Sequence, residues 1–297
     1  MRSCKLLIVG AGAAGISAAV AAWDAGCRDI LLVDRGIRPG GILPQCLHEG
    51  FGLSDFGREL TGPEYTAQLL TRLGRTGAVF QPETELLSVS KDRVAVLSRR
   101  GSLEQQHFEH MILATGCREK SIGAMCIAGT RPAGIFTAGQ AQERINLRNQ
   151  DLGDEIVILG SGDLGLIMAR RFTLEGKHVI AVLEQADTFG GMARNYRRCI
   201  EAYQIPLRCR MTVGKIHGQG RISGVTAVHL DSGEQEFIAC DTLVTALGLI
   251  SERTLVQGLE SSPWLSLAGN CSRVYDMVDS AVSQAQHIGR EVGASLL

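Results

Sequence analysis

An α/β protein built around two dinucleotide-binding units is the fold class this sequence predicts, and three features predict it. The pattern G-x-G-x-x-G follows a short apolar run twice. Each copy leads into a helical stretch and then a second apolar run. Each second run ends on an acid 19 residues past the last glycine, with the two copies offset by 150 residues throughout.

The first copy is KLLIVGAGAAGISAAVAAWDAGCRDILLVDR. Leu6 to Val9 reads as a strand, Gly10, Gly12 and Gly15 as the turn, and Ile30 to Val33 as the next strand. The first glycine permits the tight turn, the second admits a pyrophosphate to the helix N-terminus, and the third lets helix pack on strand. Ala13 and Ala14 complete the phosphate-facing turn, and Asp34, followed by Arg35, is placed to accept hydrogen bonds from a ribose diol. The second copy, EIVILGSGDLGLIMARRFTLEGKHVIAVLEQ, sets Gly160, Gly162, Asp163, Leu164 and Gly165 on the same plan and ends at Glu184 and Gln185. A chain with two such devices can hold two dinucleotides, the arrangement of an enzyme that passes hydride between them. Glu184 accepts from a 2′-hydroxyl and repels a 2′-phosphate, so NADH is expected over NADPH at this unit. Arg194, Arg197 and Arg198 lie downstream as the cations that would favour NADPH instead.

Bulk properties narrow the class. A formal net charge of −1 supplies no basic excess for nucleic acid. Nine scattered cysteines, without a CxxC pair or zinc spacing, read as reduced cytosolic thiols. The N-terminal apolar run imitates a signal peptide but carries glycines at 10, 12 and 15, and no other uncharged run reaches membrane-spanning length. A soluble, cytoplasmic protein is expected.

Small-residue strand ends bracket the second unit: ILATGCRE, with Ala114, Thr115 and Gly116, and TLVTALGLI. They resemble the chain crossings of flavoprotein reductases of the thioredoxin reductase type, within the pyridine nucleotide-disulfide oxidoreductase superfamily. That resemblance implies two Rossmann-like domains of three-layer ββα build, the nicotinamide domain inserted into the FAD domain. The FAD domain would comprise 1–118 and 250–297, and the NAD(P) domain 119–249. The segment LAGNCSRVYDMVD resembles the closing turn and flavin-facing helix, which implies cofactor contacts at Gly269, Asn270, Asp276 and Met277, with Asn270 where many relatives have Asp. Leu86 is a further expected cofactor neighbour.

GGILPQCLHEGFGL, ELTGPEY, ATGCRE, GTRPAGIFTAGQAQ and VILGSGDLGLIMARRFTLEG together resemble one bacterial family. These are the NAD(P)/FAD-dependent oxidoreductases encoded beside an anaerobic glycerol-3-phosphate dehydrogenase-like flavoprotein. The chain departs from that pattern between Leu249 and Leu267, where it is short. In flavoprotein disulfide reductases the stretch after the first acid runs along the flavin and holds a cysteine pair. Here Gly40, Gly41 and Ile42 would approach the cofactor, and Cys46 stands alone. Cys46 reads either as an activated thiolate or as a small apolar filler, and His48 either as a proton donor or as a satisfied hydrogen bonder. Filler is favoured for Cys46. ELTGPEY has a local account: Thr61 as N-cap and Glu64 three residues on form a capping box that opens the helix Tyr65 to Leu73.

The leading function is therefore an oxidoreductase that carries hydride between NAD(H) and non-covalent FAD, and electrons to or from a partner flavoprotein or iron–sulfur subunit. The FAD subunit of an opine- or amino-acid-dehydrogenase complex is the second reading. A non-catalytic flavoprotein scaffold is the third, opposed by the complete glycine sets and both acids. Self-association is left open.

Overall fold

A computed structural model describes residues 2–297. The chain divides into two compact units, the first running to Arg118 and resuming at Ile250, the second spanning Glu119–Leu249. Four helices matter below: α1 (Ala13–Asp24), α2 (Gly62–Leu73), α3 (Asp163–Leu174) and α4 (Val278–Ser295).

The first unit is built on a seven-stranded sheet. Strand Arg2–Val9 pairs in parallel with Ile30–Val33 on one side and with the long strand Ser102–Leu113 on the other. Val79–Gln81 extends one edge, and Leu265–Leu267 returns from the C-terminal segment to pair with Met111–Leu113. The near-continuous apolar sequence of the central strand follows from burial on both faces: Leu6, Leu7 and Ile8 are fully enclosed. The outer half of Ser102–Leu113 joins Val94–Arg99 and Thr84–Val89 in an antiparallel meander. The short connection after 249 forms a single 3-10 turn at Thr254–Val256, and Val256 is fully buried in the core beneath the meander.

On the helical face, α4 lies unusually close to α1. A Cβ at Gly289 would stand 2.4 Å from the Ala18 carbonyl oxygen, and one at Gly293 2.6 Å from that of Ala22. Two glycines one turn apart facing two alanines bring the backbones into direct contact. On the other flank α2 begins as its capping box dictates, three residues before Tyr65. Thr61 and Glu64 satisfy each other's end, with Glu64 Oε2 accepting from the Thr61 N–H at 2.8 Å.

The second unit repeats the plan. A five-stranded parallel sheet has the order 135–137, 242–245, 155–159, 178–183, 207–208, and a four-stranded sheet contains the antiparallel meander 211–238. Among the described residues no helix is long and apolar enough to cross a membrane.

Candidate functional site

The three glycines of each turn do different jobs. In the first unit Gly10 takes φ +105°, and a Cβ there would lie 2.4 Å from the carbonyl oxygen of Ala114. A Cβ on Gly15 would lie 1.7 Å from the Gly10 oxygen. Both are demanded by the protein's own backbone. Gly12 is not: the nearest atom to an added Cβ is the Cα of Gly41, 3.9 Å away. In the second unit the corresponding distances are 2.3 Å from Gly160 to the Ala246 oxygen and 2.3 Å from Gly165 to the Gly160 oxygen, while Gly162 has nothing within 4 Å. Open space in front of a helix N-terminus, with amides pointing into it, is what a pyrophosphate requires. Ala114 and Ala246 thereby acquire a physical role, as the carbonyls against which the first glycines seat.

The acids hold these turns in shape. Asp34 accepts from the Ala11 and Gly36 N–H groups, both at 2.7 Å. Glu184 accepts from the Ser161 and Ala186 N–H groups, both at 2.9 Å, and from the Ser161 hydroxyl at 2.5 Å. Each pair of equivalents is 150 residues apart, so the repeat persists at the level of single hydrogen bonds. Burial pushes the Glu184 carboxyl up, but the Ala186 and Ser161 donors outweigh it and hold the group below the ordinary carboxylate range. It is ionised at neutral pH. Both Asp34 oxygens and Glu184 Oε1 retain a lone pair with which to accept a ribose hydroxyl, while Glu184 Oε2 is already filled by the Ser161 amide and hydroxyl. Arg35 and Gln185 are exposed beside the acids, with Gln185 reaching the Thr212 hydroxyl at 3.5 Å.

One element of the repeat escapes the motif. Gly40-Gly41 and Gly190-Gly191 are also 150 residues apart, and both fold back onto the glycine turn. The Gly40 N–H donates to the Ala11 carbonyl at 2.7 Å, and the Gly191 N–H to that of Ser161 at 2.9 Å. Aligning the two halves of the sequence by their offset would have found this pair. Asp163 is used within the second unit: its Oδ1 accepts from the Met192 N–H and the Asn195 amide, both at 2.7 Å. Leu164 is partly buried against the apolar core behind it.

The stretch 40–53 is an arm fastened at both ends and in the middle. Gly40 ties it to the turn, the Gly62 N–H donates to the Cys46 carbonyl at 2.8 Å, and Asp279 accepts from Gly52 at 3.1 Å and Ser54 at 2.9 Å. Cys46 is 6% exposed, and its thiol donates to the Ile42 carbonyl at 3.4 Å. Burial pushes that thiol up to about 12. Ile42 is 68% exposed, and His48 is partly exposed, its ring 5.0 Å from that of Phe51 and its Nδ1 3.1 Å from the Glu49 carbonyl oxygen.

The C-terminal segment closes the first unit's turn from the other side. A Cβ on Gly269 would meet the Ala14 Cβ at 2.5 Å. Asn270 accepts from the Tyr275 N–H at 3.1 Å and points its amide at the Cys117 sulfur, 3.5 Å away. The Thr115 hydroxyl donates to the Glu252 carbonyl at 2.5 Å, and Gly116 takes φ +74°. Asp276 and Met277 are exposed just before α4. The side chain of Leu86 is buried in the core, and its strand pairs with Val94–Arg99. Sequence reasoning missed Asp279 and Gln284. Gln284 accepts from the Gly269 N–H at 2.7 Å and donates to the Leu267 carbonyl at 3.1 Å. Nothing in their spacing announces partners 15 or more residues away.

The family model described as pyridine nucleotide-disulphide oxidoreductase matches residues 4–273. The alpha subunit of sarcosine oxidase from Rhizobium meliloti is 26% identical over 253 residues, covering 82% of this chain and 24% of that protein. A subunit of opine oxidase from Agrobacterium tumefaciens is 25% identical over 310 residues, covering 98% and 59%. The chain thus spans between a quarter and three-fifths of the length of these curated relatives. Among solved structures, thioredoxin reductase of T. acidophilum superposes with a TM-score of 0.81 at 20% identity, covering 99% of each chain, which shows a shared fold.

Proposed function

The chain belongs to the pyridine nucleotide-disulphide oxidoreductase family, and from that premise we propose that it transfers hydride between NAD(H) and FAD and exchanges electrons with a partner redox subunit. The observation that carries this reading is the duplicated cradle: Gly12 and Gly162 leave a Cβ-sized opening before a helix N-terminus, each flanked by a carboxylate already held by backbone amides. Residues 1–118 with 250–297 would hold FAD, and 119–249 the nicotinamide nucleotide. FAD, when bound, supplies a two-electron carrier that accepts hydride from NADH. The protein's own part is to bind and orient. Amides at the α1 and α3 N-termini receive the pyrophosphates, Asp34 and Glu184 receive the riboses, and the arm 40–53 borders the first cradle. Anaerobic addition of NADH to the purified protein tests the proposal: the flavin colour is expected to bleach, whereas a colourless protein, or colour that persists, overturns it.

NADH is the proposed donor in preference to NADPH. Glu184 is an ionised carboxylate whose remaining acceptor site on Oε1 suits a hydroxyl and whose charge opposes a phosphate. Bleaching by NADH should be at least about tenfold faster than by NADPH at low concentration, since one unfavourable charge contact of order 1.4 kcal/mol gives that ratio. Comparable rates would overturn the preference.

Cys46 and His48 separate a thiol mechanism from proton delivery. A thiol pushed up to about 12 holds very little thiolate near neutrality, and no second cysteine stands nearby in sequence to pair with it. His48, partly exposed on the arm, is the proposed proton donor. Cys46→Ser is expected to keep flavin and most turnover with an artificial acceptor, and His48→Asn to lose about 10²-fold, the usual scale of one general acid. Loss confined to Cys46→Ser would make this a thiol-dependent reductase.

The partner is proposed to be a flavoprotein dehydrogenase or an iron–sulfur subunit. Two relatives are themselves named as subunits, of sarcosine oxidase and opine oxidase, which favours a multi-subunit assembly and keeps the amine- or opine-oxidising complex as the second reading. Nine free cysteines accord with a reducing, cytoplasmic setting.

A further inference from the structure

The first unit carries a cavity of about 530 Å³ that neither glycine turn nor the arm's cysteine and histidine enters. It lies along α1, between α2 and α4, where Ser17, Val20, Ala21 and Asp24 project from one face of α1. The close approach of α4 to α1 at Gly289 and Gly293 seals one side, and Leu69 of α2 supplies apolar floor on the other.

Two features mark this cavity as more than a packing defect. The first is Ser17. It is 3% exposed, it lines the cavity, and its Oγ has no hydrogen-bond partner. An unsatisfied buried hydroxyl costs free energy unless something else completes it. The second is the charge on the walls. Arg72 is neutralised by Asp55 at 2.8 Å and lies 4.2 Å over the Phe56 ring. Arg75 and Arg290 also line the cavity, and neither side chain has a hydrogen-bond or ion-pair partner among the described residues. Asp24 is the one carboxylate left to oppose them, so the walls carry a net positive charge of one.

Trp23 forms the rest of the wall together with Thr76 and Gln286. Its ring is wedged against Gly77, where a Cβ would come within 2.4 Å, and the Arg28 guanidinium sits 4.5 Å from its centroid. The indole is thus packed between Gly77 and the Arg28 guanidinium at the cavity edge.

We propose that this cavity is a binding site for an organic anion with a planar apolar body and a single carboxylate or phosphate head. The head pairs with Arg75 and Arg290, the body lies on Val20, Ala21, Leu69 and Trp23, and a polar atom of the ligand completes Ser17. Guanidinium groups suit both oxyanion heads by the same forked geometry. The net charge of one suits a single head, a carboxylate at −1 or a phosphate monoester near −2, and disfavours a polyanion.

Calorimetric titration with phenyl phosphate, benzoate and inorganic phosphate tests this on the intact protein, with FAD and NAD⁺ at saturation so that nucleotide sites are filled. Trp23 emission in a Trp264→Phe background reports occupancy independently. One equivalent of phenyl phosphate or benzoate should bind saturably and change Trp23 emission, the tighter of the two identifying the head. The double variant R75A/R290A, changed at two exposed side chains, should weaken that binding about 100-fold, the scale of losing two charge-assisted hydrogen bonds. Ser17→Ala should weaken it severalfold while leaving the unfolding midpoint unchanged or raised. Three results would overturn the proposal: no saturable binding, an R75A/R290A isotherm equal to wild type, or inorganic phosphate binding as tightly as phenyl phosphate, which would remove any role for the apolar floor.

Discussion

Asp34→Ala is expected to purify without flavin. On the proposed assignment Asp34 binds the adenosine ribose of FAD, but its carboxylate already has structural duties, accepting from Ala11 and Gly36 at 2.7 Å each. The Ala11 amide belongs to the phosphate turn itself, so alanine at 34 removes a ligand contact and loosens the cradle in one step. Hydrogen bonds to a charged group are worth about 1.5–3 kcal/mol each. Loss of the ribose bonds with partial loss of the turn is then expected to weaken FAD by about 10²–10⁴-fold, since each 1.36 kcal/mol is a factor of ten. Asp34→Asn keeps one acceptor oxygen and should fall between the two. Flavin absorbance per protein after purification, followed by FAD titration of the apo form, measures the effect. Full flavin content with unchanged affinity in Asp34→Ala would mean that FAD sits elsewhere.

The sequence disclosed most of this architecture because it is written twice. Glycine spacing, apolar runs and terminal acids are all local, and a local pattern repeated at a fixed offset is hard to produce by chance. Capping at Thr61 and Glu64 was equally legible, since both groups lie within one helical turn. What stayed hidden was of two kinds. Gly40-Gly41 and Gly190-Gly191 obey the same offset but belong to no named motif, so their return to the turn showed only in the Gly40–Ala11 and Gly191–Ser161 bonds. Asp279 and Gln284 are hidden for a stronger reason: their targets, Gly52 and Ser54 for one and Gly269 and Leu267 for the other, come from tertiary folding. Asp163 shows the converse. Its position in the glycine motif marks it as a ligand contact, while its carboxylate is engaged by Met192 and Asn195. Position in a motif reports where a backbone atom lies, and a side chain of that length has other partners within reach.

The same distinction between backbone and ligand yields the second large effect, at Gly162. Its backbone, φ −60° and ψ 165°, is open to any residue, and an added Cβ has nothing within 4 Å. Gly162→Ala should therefore fold as wild type, with an unchanged unfolding midpoint and full flavin. Gly165→Ala, whose Cβ would stand 2.3 Å from the Gly160 carbonyl, should instead lose stability. Yet the space before Gly162 is where, on the proposed assignment, the NADH pyrophosphate meets the α3 amides. Phosphate oxygens hydrogen-bonded to those amides approach to about 3 Å, and a methyl group there forces them outward. The expected result is a fall of about 100-fold in kcat/KM for NADH, or about 2.7 kcal/mol of lost transition-state binding. Reduction of the same flavin by dithionite should proceed at the wild-type rate, because that reagent needs no nucleotide cradle. Gly12→Ala offers the mirror experiment, with flavin content falling and the second unit's affinity for NADH untouched. Wild-type NADH kinetics in Gly162→Ala would show that the opening at the second turn is not where the nicotinamide nucleotide binds.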